Sequence, residues 1–290
     1  DFQAAVVTAQ EAIDTILKVE NHKATNLLTA KNQLAIALSS QGKYVDAEVI
    51  LREVMALARD YYGENNLGFL RVVANLGANL QSQGKLEQAV SYQEQVNELS
   101  KTLLGPRDRN TLRNQMNLAN TYVSLNRLEE GELLLRRLLK DIEEVFGAEQ
   151  VLTFTVNYNL GELLNNTGRF AESLELSSAV LPLMKKALGE NHLVTLLTQD
   201  NKAISLVGLE QHTEALDIYE QILPAMEAHF GLTNPYYLLV KSHQVDAMLA
   251  AGQQQHAIRA LEQLLALQIE TLGEAHPDTL KSKERLNSLR

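Results

Sequence analysis

Six glycines recur at one fixed interval: Gly63, Gly105, Gly147, Gly189, Gly231 and Gly273 stand 42 residues apart, in a chain with 15 glycines among 290 residues. The residue before each is large and apolar (Tyr62, Leu104, Phe146, Leu188, Phe230, Leu272). Seven positions after each comes Leu70, Leu112, Phe154, Leu196, Leu238 and Leu280. A strict period of this length is the signature of stacked repeats that each touch only their neighbours, so the usual division of a long chain into globular domains does not apply.

Residues 105–146 show what one unit folds into. From Leu112 the apolar residues Leu118, Ala119 and Tyr122 share one helical face, and Asn126 follows where other units have Gly42, Gly84, Gly168 and Gly252. Gly and Asn close helices in the left-handed conformation, so a stop is predicted there. A second amphipathic run goes from Leu128 through Leu135, Leu138 and Ile142 to Phe146. Each unit therefore reads as a helical hairpin. The second helix keeps one small slot (Ala47, Ala89, Gly131, Ser173, Ala215, Ala257), which lets the first helix approach closely, and one apolar slot seven residues on (Val54, Val96, Leu138, Val180, Ile222, Leu264). The pattern predicts about fourteen helices in an all-α, right-handed α-solenoid. It comprises a trailing helix over 1–20, six repeats over 21–272 and a capping segment over 273–290. Phe2 and Ala5 fall in second-helix slots, so the chain reads as starting within a repeat of a longer protein. Glu210 replaces the terminating Gly, and Lys202 and Gln244 enter a slot that is Leu76, Leu118 and Leu160 earlier. Together with His212 and Gln254 in other apolar slots, they predict a looser C-terminal third.

The net charge of −10 disfavours nucleic acid or an anionic membrane as partner, since both require clustered Lys and Arg. With no Cys there is no thiol nucleophile, disulfide or Cys-based zinc site. No phosphate-binding Gly loop, GxSxG elbow or HExxH helix occurs, and the seven His are scattered. His192 and His276 fall in the turns between repeats and read as turn or cap residues. No catalytic residue, cofactor or metal is expected, and a cytoplasmic location is.

The block GEAHPDTL at 273–280, with GENHLVTL at 189–196 and the hairpin motifs GKYVDA, GKLEQA and GRFAES, resembles the 42-residue tetratricopeptide repeats of kinesin light chains. Similar repeats occur in many bacterial regulatory proteins, and a bacterial source is expected. The heptad region that ties light chains to their motor has no counterpart here, so cargo transport does not carry over.

Twelve residues after each register glycine stand Asn75, Asn117, Asn159, Asn201 and then His243, and the first unit has Gln33. Helical geometry puts this slot about 140° from the Leu slot, away from the apolar arc. Four residues earlier on the stripe are Arg71, Arg113 and Thr155, and three later is Asn120. Asn is a poor mid-helix residue, so a merely wet face should drift to Glu, Lys or Gln. The amides either clamp the backbone of an extended peptide or bond a neighbouring repeat, unless tandem duplication simply copied them. The resemblance implies the first alternative: in the light-chain family the matching Asn, with a basic residue four positions before it, contacts bound peptides on a surface lined by first helices. It nominates Gln33, Arg71, Asn75, Arg113, Asn117, Asn120, Thr155, Asn159 and Asn201 as a groove for a protein or peptide ligand. The expected role is a non-enzymatic scaffold. The alternative is self-association or regulation in cis, with the groove holding another part of the same full-length protein, such as a larger kinase or transcription regulator.

Overall fold

The computed structural model describes residues 2–17 and 24–290, and the described residues form fourteen α-helices and no strand. In order they are α1 (Phe2–Leu17), α2 (Ala24–Ser40), α3 (Tyr44–Tyr62), α4 (Leu67–Ser82), α5 (Leu86–Leu104), α6 (Arg109–Ser124), α7 (Leu128–Phe146), α8 (Val151–Asn166), α9 (Phe170–Leu188), α10 (Leu193–Gly208), α11 (His212–Phe230), α12 (Pro235–Ala250), α13 (Gln254–Leu272) and α14 (Pro277–Leu289). They fall into two compact units, Asp1–Val145 and Phe146–Arg290, which divide the helices at the α7–α8 turn. Each unit is an α-solenoid stack in which consecutive helices pack as hairpins. The expected boundaries at residue 20 and residue 21 lie outside the described residues.

The glycine period has a backbone cause. All six register glycines adopt positive φ, from 73° at Gly63 to 96° at Gly105, and turn the chain out of each second helix. The stops inside the hairpins are also left-handed, at Gly42, Gly84, Gly168 and Gly252, with Asn126 at φ 58° and Glu210 at φ 62°. For Glu210, which lacks glycine's freedom, this conformation costs about 1 kcal/mol. The first helices α4, α6 and α12 start at side-chain caps: Asn66 accepts from Gly68 N at 2.7 Å, Asp108 from Asn110 N at 2.8 Å, and Asn234 from Tyr236 N at 2.9 Å, whereas Gln150 before α8 makes no such bond. His192 and His276 also accept through Nδ1, each at 3.3 Å, so both are cap residues.

Small second-helix slots are where the hairpin closes. Ala47, Ala89, Ser173, Ala215 and Ala257 are fully buried, and a Cβ added to Gly131 would meet Val123 Cγ2 at 2.8 Å. The apolar slot seven residues on is buried in every repeat. Leu70, Leu112, Phe154, Leu196 and Leu238 are buried too, whereas Leu280 on α14 is 46% exposed. The C-terminal third has an apolar core of its own, although its hairpins α11–α14 touch less extensively than those of α1–α5. One continuous cluster extends from Leu196 to Leu286 around Tyr219, Ile222 and Met226, and Tyr219 is fully buried where the preceding repeat has Ser177. Gln244 is buried in that setting and accepts from Lys241 Nζ at 3.0 Å.

Candidate functional site: the first-helix faces

In unit 1 the first helices α2, α4 and α6 lie side by side. Their charges are one-sided: Lys31, Arg71, Arg109 and Arg113, with no Asp or Glu on any of the three. Lys31 pairs with Glu53 of α3. Arg71 and Arg113 are exposed and make no ion pair among the described residues, and Arg113 donates only to Asn110 Oδ1 at 3.3 Å. Gln33 is exposed on α2. Asn75 is half-buried and its Nδ2 donates to Asn32 Oδ1 of the preceding first helix at 3.0 Å. Asn117 and Asn120 are half-buried on α6, and the Asn117 amide makes no hydrogen bond among the described residues. Beside Asn75 a cleft of about 270 Å³ opens between α2 and α4, with Ile36, Ala78 and Asn79 in its wall.

Unit 2 treats the same slots differently. Thr155 on α8 is half-buried and returns its hydroxyl to Val151 O at 2.9 Å; Asn159 is half-buried on the same helix. Asn201 on α10 is 3% exposed, and its Nδ2 donates to Tyr158 O of α8 at 2.9 Å. The next slot, His243, faces Asp200 Oδ2 at 2.9 Å. Asn75, Asn201 and His243 thus reach back by the same 43 residues, to the position just before the slot in the preceding repeat. A second set of bonds reinforces α8 and α10: Asn165 Nδ2 donates to Asn201 O at 2.9 Å and Ser205 Oγ to Asn165 Oδ1 at 2.8 Å. At three slots, then, the geometry is that of a brace between repeats.

Around His243 lies a polar cluster that the sequence reading passed over. Asp200 is 3% exposed, and its carboxylate bears on the hydroxyl of the fully buried Tyr219, which burial first and Asp200 second hold well above the ordinary tyrosine value. Burial alone would push the His243 pKa down, but the Asp200 carboxylate, with smaller contributions from Asp246 and Glu162, holds it above the ordinary histidine value. Glu162 is raised chiefly by the protein around it, and its Tyr158 neighbour opposes that shift only in part. The sequence reading also stopped one helix early. In register, Lys281 of α14 occupies the slot of Arg71 and Arg113, and Arg285 occupies the slot of the amides, where it bonds Asp246. Counting one further period would have found both.

Among the described residues no helix is long and apolar enough to cross a membrane, and no group of three or more His, Asp or Glu is placed to hold a metal ion.

Comparison with known proteins follows the same period. Tetratricopeptide-repeat family models match residues 24–101, 69–144, 152–228 and 247–278. The chain belongs to the tetratricopeptide-repeat family. Among solved structures it is similar to the nearly identical TPR-like repeats of a Podosopora anserina kinesin light chain protein (21% identity, 72% of this chain and 98% of that one, TM-score 0.62). It is also similar to BtubC of P. vanneervenii (15% identity, 79% and 92%, TM-score 0.66) and to the apo quorum sensor NprR of B. thuringiensis (14% identity, 99% and 83%, TM-score 0.63). At these identities the likeness shows the fold. No curated protein matches the chain.

Proposed function

We propose that the first-helix face of unit 1 is a non-enzymatic docking surface for an extended, acidic peptide segment of a partner protein. The observation that carries this is the charge pattern: α2, α4 and α6 hold four cations and no carboxylate in a chain whose net charge is −10. Arg71 and Arg113, exposed and without an ion pair among the described residues, meet acidic side chains on one stripe. Asn117, whose amide is uncommitted, supplies both donor and acceptor to a passing peptide unit. The cleft beside Asn75 takes an apolar side chain between Ile36 and Ala78. Gln33 and Asn120 flank these contacts. Asn75 contributes by fixing the spacing of α2 and α4, since its amide is already bonded to Asn32.

The test is fluorescence anisotropy with a labelled library of extended peptides, graded from acidic to basic. Acidic peptides carrying one apolar residue should bind, and the affinity should fall steeply with added salt. Arg113→Ala and Arg71→Ala should each weaken binding by about tenfold, and Asn117→Ala by a similar factor with little dependence on salt. Equal binding of basic peptides, or indifference to both Arg variants, would overturn the proposal.

A further inference from the structure

A second recess lies in unit 2, between α12 and α14 with α13 beneath, and has a volume of about 490 Å³. That is the size of pockets that hold small organic ligands. One side is apolar: Leu238 is buried, Leu239 is 42% exposed, and Leu272 closes the floor. The other side is α14, which presents Lys281 and Arg285.

Two features of this recess lack an internal explanation. Position 268 belongs to the core register, where Ala58, Ser100, Met184 and Met226 of other repeats are buried. Here it is Gln268, 4% exposed, lining the recess with an Oε1 that has no hydrogen-bond partner. A buried carbonyl oxygen without a donor is a deficit that the fold alone would remove by keeping Met. The second feature is Lys281. The other charged or titratable groups in the wall are matched, Arg285 with Asp246, His243 with Asp200 at 2.9 Å and His276 with Asp278 at 3.7 Å, whereas Lys281 is exposed and forms no ion pair among the described residues. The recess therefore offers an unmatched cation, an unmatched buried acceptor and an aliphatic wall.

We propose that this recess binds a small amphipathic acid with the chemistry of an N-acylated aliphatic amino acid. Its carboxylate pairs with Lys281, its amide N–H donates to Gln268 Oε1, and its side chain packs on Leu238, Leu239 and Leu272. A free N-acyl amino acid and the carboxyl end of a peptide both carry this chemistry. The site is separate from the face of unit 1 and does not depend on the reading given to that face.

The experiment is a methyl and side-chain amide NMR titration of the whole chain with N-acetyl-leucine. The expected result is saturable perturbation of the Leu238, Leu239 and Leu272 methyls and of the Gln268 side-chain amide. N-acetyl-leucinamide, which lacks the charge, and 4-methylpentanoate, which lacks the N–H, should each bind at least about fivefold more weakly. Lys281→Gln should cost a similar factor. Gln268→Met, which restores the residue found at 184 and 226, should fold at least as stably and lose affinity. Arg113→Ala should change nothing here. A longer peptide ending in leucine that binds more tightly than N-acetyl-leucine identifies a chain end as the ligand, and equal or weaker binding identifies the free small acid. No saturable perturbation, equal binding of the leucinamide, or indifference to both substitutions would overturn the proposal.

Discussion

Asn75 and Asn201 occupy one slot of one repeat, three periods apart, and meet different surroundings. Both amides reach the preceding first helix, yet Asn75 is half-buried and Asn201 is 3% exposed. The first helices α8, α10 and α12 of unit 2 pack more closely against each other than α2, α4 and α6 of unit 1. In unit 2 that approach buries Asp200 and Asn201 on α10, and these turn to neighbouring repeats, Asn201 to Tyr158 O and Asp200 to His243. In unit 1 the corresponding positions Ala74, Asn75, Met116 and Asn117 are only half-buried, Arg71 and Arg113 are exposed, and the Asn117 amide stays available. Repeat register fixes the direction in which a side chain leaves its helix. The spacing of neighbouring helices decides whether it meets solvent or protein.

The largest expected effect tests the sealed face. His243→Ala leaves Asp200 buried without its partner, and losing one member of such a pair should cost unit 2 about 3 kcal/mol in urea unfolding. The pH dependence follows from the same pair. The folded-state pKa of His243 is raised, so its contribution is complete below the unfolded value near 6.5 and is lost as pH rises through the folded value. Unit 2 should therefore weaken as pH rises above the ordinary histidine value, and a flat profile there would remove the Asp200–His243 pair from the list of stabilising contacts.

Unit 1 should respond with the opposite sign. Glu48 of α3 receives Lys85 Nζ at 2.7 Å, Gln83 Nε2 at 2.8 Å and Arg52 Nε at 2.8 Å. Lys85 first, then Gln83 and Arg52, outweigh the cost of burial and hold its pKa at about 2. A depressed carboxylate contributes stability above its unfolded pKa of about 4.5 and loses it as pH falls toward 2. Acid should thus cost unit 1 on the order of 2 kcal/mol across that window, and Glu48→Gln should remove most of this dependence. If both units titrated alike, their polar contacts would not differ as described.

The sequence carried the repeat, its hairpins, its left-handed stops and its caps, because each is a local property of one or two residues at a fixed offset. Gly63 must turn at positive φ whatever surrounds it, and His192 caps α10 through the backbone next to it. The fate of the amide slot was not legible in the same way. Whether Asn201 is open or sealed depends on how closely α8 and α10 approach, which no single position encodes. The expected looseness of the C-terminal third rests on single positions such as Lys202 and Gln244, while Tyr219 from α11 adds apolar volume to the same core. Hydrogen exchange of α10 and α11 at least as slow as that of α4 and α5 would show that this volume compensates for them.

The brace itself should give a smaller, graded effect. Asn201→Ala removes the bond from a buried amide to Tyr158 O, which keeps its own helical N–H donor, so a loss of about 1 kcal/mol is expected. Asn75→Ala removes the bond from a half-buried amide to Asn32 Oδ1, whose residue is itself 3% exposed, so about 1.5 kcal/mol is expected because Asn32 Oδ1 then has no donor among the described residues. Equal costs would mean that the helical donor left at Tyr158 O does not separate the two sites.

The smallest effect on stability belongs to Asn117, and it is the sharpest test of the comparison. Its amide bonds nothing among the described residues, and Ala is the better helix former by about 0.6 kcal/mol. Asn117→Ala should therefore leave unit 1 unchanged or slightly more stable, in contrast to both Asn75→Ala and Asn201→Ala. On the proposed reading Asn117 and the neighbouring Arg113, equally without an ion pair among the described residues, serve one partner, so their alanine variants should weaken peptide binding together. A drop in melting temperature of several degrees in Asn117→Ala, with peptide binding intact, would mean that this amide also braces the stack. The difference between the two faces would then lie in exposure alone.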